Sequence, residues 1–352
     1  MTMERIQKLF RENERHFLVG ALLLGFIVDN LTLSRIDLVF DNAILFSYLT
    51  LATIAIILIT RFSERKFSRW LFYLLQYAFG GLFSGFIIFY SQSTGFIGSW
   101  LFIAILVALF IGNEFFKERY MRTSFQLSIL FVALFLYIIF LVPIITGKLG
   151  ASMFLISGII SIILISFIVW LINALSHKSS RQLGRGFIFT ILLLYIIFNT
   201  LYFTNIIPPI PLSLKELTIA HHIERVDDGQ FLVATQKRPW YKFFNTSDIA
   251  YKPGTPLYSF ASVFAPTKIN TKISHQWSYF DEKKSEWVPV SRIGFSISGG
   301  RDEGFRGYTF KEALREGRWR VDVLTERNQL IGRTTFTLTF SSTTPLLTVE
   351  YK

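Results

Sequence analysis

The stretch Asn199–Leu214, NTLYFTNIIPPIPLSL, divides the chain into two kinds of sequence, with long apolar runs before it and short alternating ones after it. Pro208, Pro209 and Pro211 have no backbone N–H, and each holds the preceding residue in an extended conformation, so a helix arriving from Phe187 is expected to stop here. The expectation is a stiff proline-rich linker over 208–215, joining a membrane half to a water-soluble β domain.

Upstream, seven apolar segments run over about 17–33, 42–60, 70–90, 96–116, 124–145, 151–175 and 187–207. Each is close to the roughly 20 residues that a helix needs to cross the hydrocarbon of a bilayer. Lipid offers backbone polar groups no partner, so crossing segments are helices or the strands of a closed barrel; continuous rather than alternating apolarity selects helices. Residues 1–16 form a charged head carrying Arg5, Lys8, Arg11 and Arg15. The run that Phe17 opens is too long for a signal-peptide core and lacks a small-residue cleavage site, so an uncleaved first helix is expected.

The formal charge of +12 raises the question of nucleic acid, and the positions of the charges answer it. Sixteen of the 36 Lys and Arg residues precede Pro208, almost all between apolar segments. The head and the second, fourth and sixth loops hold 14 of them, against 2 (Arg35 and Lys148) in the first, third and fifth. That bias predicts a cytoplasmic N-terminus, and seven crossings then put the C-terminal domain outside, in the periplasm of a bacterium with two membranes. The expected location is the cytoplasmic (inner) membrane, with the bilayer as a partner and nucleic acid excluded. Cysteine is absent, which removes disulfides and thiolate metal sites.

Beyond Lys215, short alternating runs are punctuated by Gly, Pro, Asn and Asp, the pattern of an all-β sandwich or barrel over 216–352. About eight strands fit, near 216–224, 230–235, 257–265, 271–280, 287–297, 305–311, 318–325 and 330–340. Trp319, Val321 and Val323 share one face of a strand, and Arg318, Arg320 and Asp322 share the other. The fold class is therefore a membrane all-α bundle of about seven transmembrane helices followed by an immunoglobulin-like β-sandwich.

Pro266, His275 and Trp277, Gly299-Gly300-Arg301, Gly304-Phe305-Arg306, Lys311, Gly317 to Val323 (GRWRVDV) and Gly332 together resemble the bacterial domain-of-unknown-function family numbered 2914. The membrane half shares the look in DNLTLSRID (29–37), FGGLFS (79–84), NEF (113–115) and NTLYFTNIIPPIPL (199–212). Phe305 departs from a usual tyrosine and Asn328 from a usual turn glycine; Asn tolerates the left-handed conformation that such a turn needs. The resemblance implies a helical membrane anchor with an extracytoplasmic β domain. It carries no activity and no catalytic residues.

Candidate sites follow from residue chemistry. Asp29, Arg35, Asp37 and Asp41 cluster at the outer end of the first helix and the loop after it; a persisting helix would align Asp29, Leu33 and Asp37 on one face. Carboxylates at this depth are costly without a partner, so the cluster reads either as an ion or proton site, or a docking point for the β domain, or as an ion-paired hairpin that fixes the loop, and the last is favoured. Asn113 and Glu114 read as a solvated helix end, and Gly81 and Gly85 as a GxxxG packing face.

In the β domain His275, Trp277, Arg301, Arg306 and Trp319 could form an aromatic, cationic surface for an acidic or sugar-like ligand. The competing and stronger reading makes Trp277 and Trp319 the core pair of the sandwich and Gly299–Arg301 a turn. Arg238, Trp240, Tyr241 and Lys242 mix rings and cations in a way that suits a membrane surface, or equally alternate burial. No GxSxG elbow occurs, and adjacent His221 and His222 point to opposite faces of a strand and cannot share one metal, so neither catalytic residues, a metal nor any other cofactor is expected. The sequence reads as a non-enzymatic envelope protein whose periplasmic sandwich binds a protein partner or an envelope glycan. The alternative is a membrane enzyme or transporter that uses the Asp29–Asp41 cluster with the β domain as a lid.

Overall fold

The structure, a computed structural model, describes residues 24–35, 37–62, 68–93, 96–115, 122–175, 184–209, 211–226, 230–236, 247–266, 269–300, 303–342 and 345–352. They form two compact units, the first within residues 1–91, 100–145 and 149–207, and the second comprising Pro208–Lys352 with 92–99 and 146–148.

Among the described residues seven helices lie wholly or mostly in the first unit: α1 (24–32), α2 (Val39–Arg61), α3 (Ser68–Ser93), α4 (Phe96–Phe115), α5 (Thr123–Thr146), α6 (Ala151–Leu175) and α7 (Arg185–Phe203). Five, namely α2, α3 from Trp70, α5, α6 and α7, are long and apolar enough to cross a membrane. In α6 one face is buried (Phe154, Ser157, Gly158, Ser161, Ile165, Ile168, Ile172), while the other exposes Ile156, Ile159, Ile163, Phe167 and Trp170. A helix apolar on both faces suits lipid on its outer side. Hydroxyls inside these helices return to the chain: Thr50 Oγ1 donates to Phe46 O (2.8 Å), Thr53 Oγ1 to Leu49 O (2.8 Å) and Ser161 Oγ to Ser157 O (2.7 Å). This spares them an unmet polar group in an apolar surround.

Helix α5 is the hub of the bundle, buried continuously from Leu130 to Phe140. The Phe135 ring meets Phe131, Phe154, Tyr195 and Phe198, and Phe140 meets Phe86, Phe89 and Tyr90. The GxxxG face of α3 packs against α2 within the same chain: a Cβ at Gly81 would lie 2.6 Å from the Tyr48 ring, and one at Gly85 2.6 Å from Leu45 Cδ2.

Helix α7 stops earlier than the prolines require. Asn205 takes φ +59°, its N–H donates to Tyr202 O (3.1 Å), and the Ile206 N–H donates to Leu201 O (2.9 Å). This is a Schellman closure with Asn in the left-handed position, so the helix ends at Phe203 rather than 207. The linker expected over 208–215 is also shorter. Pro208, Pro209, Pro211 and Leu212 are buried, and the first strand opens at Ser213. Within the second unit Ser93 Oγ donates to Leu212 O (2.7 Å) and Ser213 Oγ to Gln92 O (2.5 Å).

The rest of the second unit is a β-sandwich. Its strands are β1 (Ser213–Ala220), β2 (His222–Arg225), β3 (Phe231–Gln236), β4 (Ser247–Tyr251), β5 (Leu257–Phe264), β6 (Asn270–Asp281), β7 (Glu286–Ser298), β8 (Phe305–Lys311), β9 (Gly317–Thr325), β10 (Leu330–Phe340) and β11 (Leu347–Tyr351). The five-stranded sheet runs β4-β10-β9-β6-β7, antiparallel throughout except that β4 lies parallel to β10. Opposite it lies β1-β5-β8, and β11-β3-β2 forms a third, smaller sheet. Trp277, Trp319, Val321, Phe336 and Leu338 from the five-stranded sheet pack with Ile219 of β1 and Leu257 of β5 in one core. A second cluster joins Ile223, Phe231 and Val233 of the small sheet to Phe260 of β5.

Strands β4 and β11 were not expected, and the run read as one strand over 216–224 is two. The break falls at His221, whose N–H donates to Ala234 O (2.8 Å), so the chain leaves β5 there to pair with β3. Gly299 N–H donates to Ile269 O (2.8 Å) and Gly300 N–H to Ala265 O (3.1 Å), and a Cβ at Gly299 would overlap the Pro266 carbonyl oxygen; Arg301, the third residue of the turn expected there, lies outside the described residues.

Candidate functional site

The four polar residues at the end of α1 do not act as one group. Helix α1 ends at 32, so Asp29 and Asp37 are not aligned along a helix face. Arg35 and Asp37 form a bidentate pair inside the loop (Nε to Oδ1 3.0 Å, Nη2 to Oδ2 2.7 Å). Asp41, buried in the first turn of α2, accepts the backbone N–H groups of Ser34 (2.9 Å) and Arg35 (2.8 Å). Arg35, Asp37 and Asp41 thus fix the loop, and a carboxylate in the first turn also suits the positive end of the α2 dipole. Asp29 stands apart, buried beside Ser84 of α3.

In the β domain the residues read as a ligand surface separate into interior and exterior. Trp277 and Trp319 are 0% and 2% exposed in the sandwich core, and Tyr279 packs on Trp319 with centroids 5.4 Å apart. His275 is also fully buried, against the edge of Phe295. The alternation that aligned His275, Trp277 and Tyr279 is correct, and the face they share looks inward, in line with the core-pair reading of Trp277 and Trp319 and against the ligand-surface one. Trp277 Nε1 donates to Thr309 Oγ1 (3.2 Å), and the same hydroxyl lies 3.0 Å from His275 Nδ1. With one proton and two lone pairs, the Thr309 hydroxyl accepts from Trp277 and can either donate to His275 Nδ1 or accept from it, while His275 Nε2 is buried without a hydrogen-bond partner. Burial holds the imidazole neutral, with its pKa lowered to about 4. Arg306 pairs with Glu303 across the tight turn before β8. Arg301, like Arg238, Trp240, Tyr241 and Lys242, lies outside the described residues.

The outward face of the five-stranded sheet holds an arrangement that the sequence only partly indicated. Phe280 of β6 is opposite Trp287 of β7, with ring centroids 5.1 Å apart. Arg318 Cζ lies 4.4 Å from the Phe280 centroid and 5.7 Å from that of Trp287, and Arg320 Cζ lies 4.7 Å from Trp287. Next along β9, Asp322 accepts two bonds from Arg333 of β10 (2.6 and 3.1 Å) and contacts Arg320 Nε at 3.2 Å. Arg292 of β7 donates to Ser274 Oγ (2.8 Å), Asn328 Oδ1 (2.5 Å) and Thr325 O (3.2 Å). Asn328 takes φ +62° in the β9–β10 turn, which supplies the left-handed residue that a glycine would. Alternation placed Arg318 and Arg320 together, but the aromatic platform depends on the register of the β6–β7 hairpin, which sets Phe280 opposite Trp287.

Burial works against the charge of Arg320, Asp322 opposes that loss, and Arg333 adds to it, with a net lowering of the guanidinium pKa. The face therefore concentrates positive charge that a single buried carboxylate does not balance. Such a surface can bind anions; among the described residues no group of three or more His, Asp or Glu side chains could hold a metal ion.

No curated protein matches the chain. Among solved structures, an immunoglobulin-like protein from Pseudomonas aeruginosa is 11% identical, covering 35% of this chain and 97% of its own, with a TM-score of 0.21. A β-glucosidase from Listeria innocua is 9% identical over 30% of this chain and 16% of its own, with a TM-score of 0.19. A Pseudomonas fluorescens alkylpurine DNA glycosylase is 10% identical over 87% of this chain and 99% of its own, also with a TM-score of 0.19. Scores this low carry no argument about fold or function. The region that builds β6 to β10 is informative: residues 270–338 of this chain match the family described as Protein of unknown function (DUF2914).

Proposed function

We propose that this chain is a non-enzymatic protein of the bacterial cytoplasmic membrane, whose helices anchor an immunoglobulin-like sandwich on the extracytoplasmic side, where the sandwich binds a protein partner or an envelope glycan. The observation that carries this reading is the outward face of the five-stranded sheet, where guanidiniums are stacked on a rigid aromatic pair and left without enough carboxylates. The apolar helices and the 14-to-2 bias of Lys and Arg between alternate connections support the anchor and its orientation.

Two measurements test it. The natural chain has no cysteine, so single-cysteine variants report their side of the membrane without background. Lys148→Cys and Lys283→Cys should react in intact cells with a membrane-impermeant maleimide, and Lys66→Cys and Arg119→Cys only after the cells are opened; the opposite pattern overturns the orientation. A photoreactive residue at Thr335, on the outward face, should form a cross-linked product in living cells whatever the chemical class of the ligand. Absence of any product would sink the binding reading.

A second reading, a transporter or membrane enzyme, rests on Asp29 alone, because Arg35, Asp37 and Asp41 are engaged in fixing their loop. It predicts that Asp29→Asn abolishes the cellular function of the full chain while the outward-face variants keep it.

A further inference from the structure

The geometry points to an acidic glycan as the ligand of the outward face, with its carboxylate or phosphate groups paired to Arg318 and Arg320. This assignment rests on the reading that the β domain carries the binding function, and it names the ligand class and the residues.

Arg318 and Arg320 differ from the other arginines on this face. Arg292 is satisfied by three hydrogen bonds and Arg333 by both oxygens of Asp322. Neither the Arg318 nor the Arg320 guanidinium donates a hydrogen bond to a described residue; Arg320 Nε is buried in an ion pair with Asp322 at 3.2 Å, and that carboxylate accepts its hydrogen bonds from Arg333. The faces of Phe280 and Trp287 hold both guanidiniums, and Asp322 also holds that of Arg320. Stacking fixes the plane of a guanidinium and leaves its in-plane donors free, the arrangement that meets a carboxylate or phosphate with two parallel bonds.

Charge favours an anion. Among the described residues, the outward face carries Lys272, Arg292, Arg318, Arg320 and Arg333 against Asp322 and, at the β4 edge, Asp248. Spacing suits a chain of anions. The Cα atoms of Arg318 and Arg320 are about 7 Å apart along the strand and both side chains reach the Trp287 ring, so an extended ligand with repeated acidic groups can engage both. The neighbours favour sugar. Thr337 lies opposite Arg318 and Thr335 opposite Arg320 in the β9–β10 register, so the strand beside the arginines presents hydroxyls on the same face, where a ligand lying across the sheet can exchange hydrogen bonds through its ring hydroxyls. Single-stranded nucleic acid is disfavoured because it needs open aromatic faces for its bases, and guanidiniums already lie over Phe280 and Trp287.

The test uses the full chain in phosphatidylcholine nanodiscs, titrated with polygalacturonate, a ribitol-phosphate polymer, dextran and a single-stranded DNA oligonucleotide. The expected result is binding of one or both acidic glycans, weakened by salt, with dextran and DNA at least tenfold weaker. Arg318→Gln with Arg320→Gln should weaken that binding at least tenfold, and Lys283→Gln in the β6–β7 turn should leave it unchanged. Thr335→Glu with Thr337→Glu keeps both arginines, sets a carboxylate opposite each and should weaken binding equally by competing for the guanidiniums and repelling the anion, which guards against a double arginine variant that fails to fold. No binding of either acidic glycan, binding that both double variants retain, or DNA binding as tight as the glycan would overturn the assignment. A cross-link at Thr335 in cells together with no acidic-glycan binding would overturn this ligand class and leave the binding reading standing.

Discussion

Thr309 Oγ1 lies 3.0 Å from His275 Nδ1 and 3.2 Å from Trp277 Nε1, so one hydroxyl on β8 ties the three-stranded sheet to two buried side chains of β6 in the five-stranded sheet. Burial keeps that imidazole neutral. His275 has a pKa of about 4 in the folded chain against an ordinary 6.5, so between these values the unfolded chain binds the extra proton. Its contribution to stability is therefore complete above about pH 6.5 and is lost as the pH falls toward 4, with a total of about 3 kcal/mol. His221 is also held below its ordinary value by burial and acts in the same direction. Unfolding of the full chain in detergent, compared with His275→Gln between pH 4.5 and 7.5, should show the flatter dependence in the variant. Parallel curves would mean that His275 is not the titrating group.

Replacing Thr309 separates the hydroxyl from the methyl. Thr309→Val keeps the shape but leaves Trp277 Nε1 and His275 Nδ1 buried without a partner, a cost of roughly 1–3 kcal/mol for each group so stranded. Thr309→Ser keeps the oxygen and should lose less. Thermal unfolding followed by tryptophan fluorescence should therefore rank wild type above Ser and Ser above Val. A Val variant as stable as wild type would show that the link contributes nothing net.

The sequence carried the division into apolar helices and alternating strands because both are periodic, and periodicity survives without knowledge of contacts. It did not carry β4 or β11. Each is five residues long, β4 pairs in parallel with β10 from far along the chain, and β11 pairs with β3 more than a hundred residues away, so no local turn announces either. The candidate site shows the same limit. Alternation placed His275 with Trp277 and Arg318 with Arg320, yet a period of two does not say which face looks inward when His and Trp suit both. The Phe280–Trp287 platform needed the register of the β6–β7 hairpin, which pairing sets and composition does not.

The loop after α1 gives a double-mutant test of which acid Arg35 serves. Arg35 and Asp37 are bonded to each other, so Arg35→Ala and Asp37→Ala should be non-additive, the second change costing about 0.5–1 kcal/mol less once the first is made. Arg35→Ala combined with Asp29→Asn should add within about 0.5 kcal/mol, because Asp29 lies outside that pair. Unfolding in detergent measures both cycles, and coupling in the second would place Asp29 in the network after all.

Asn205 ends α7 with a left-handed backbone that the Tyr202 and Leu201 carbonyls close, and this makes the helix stop separable from the prolines that follow. A β-branched side chain is strained at φ +59°, whereas glycine adopts it freely. Asn205→Val should therefore destabilise the first unit by about 1–2 kcal/mol, and Asn205→Gly should be close to neutral. Pro208→Ala should change stability less than Asn205→Val, since the helix has already ended at Phe203. Thermal unfolding of the three variants decides between the two stops: a Pro208→Ala loss that exceeds the Asn205→Val loss would return the helix boundary to the proline run.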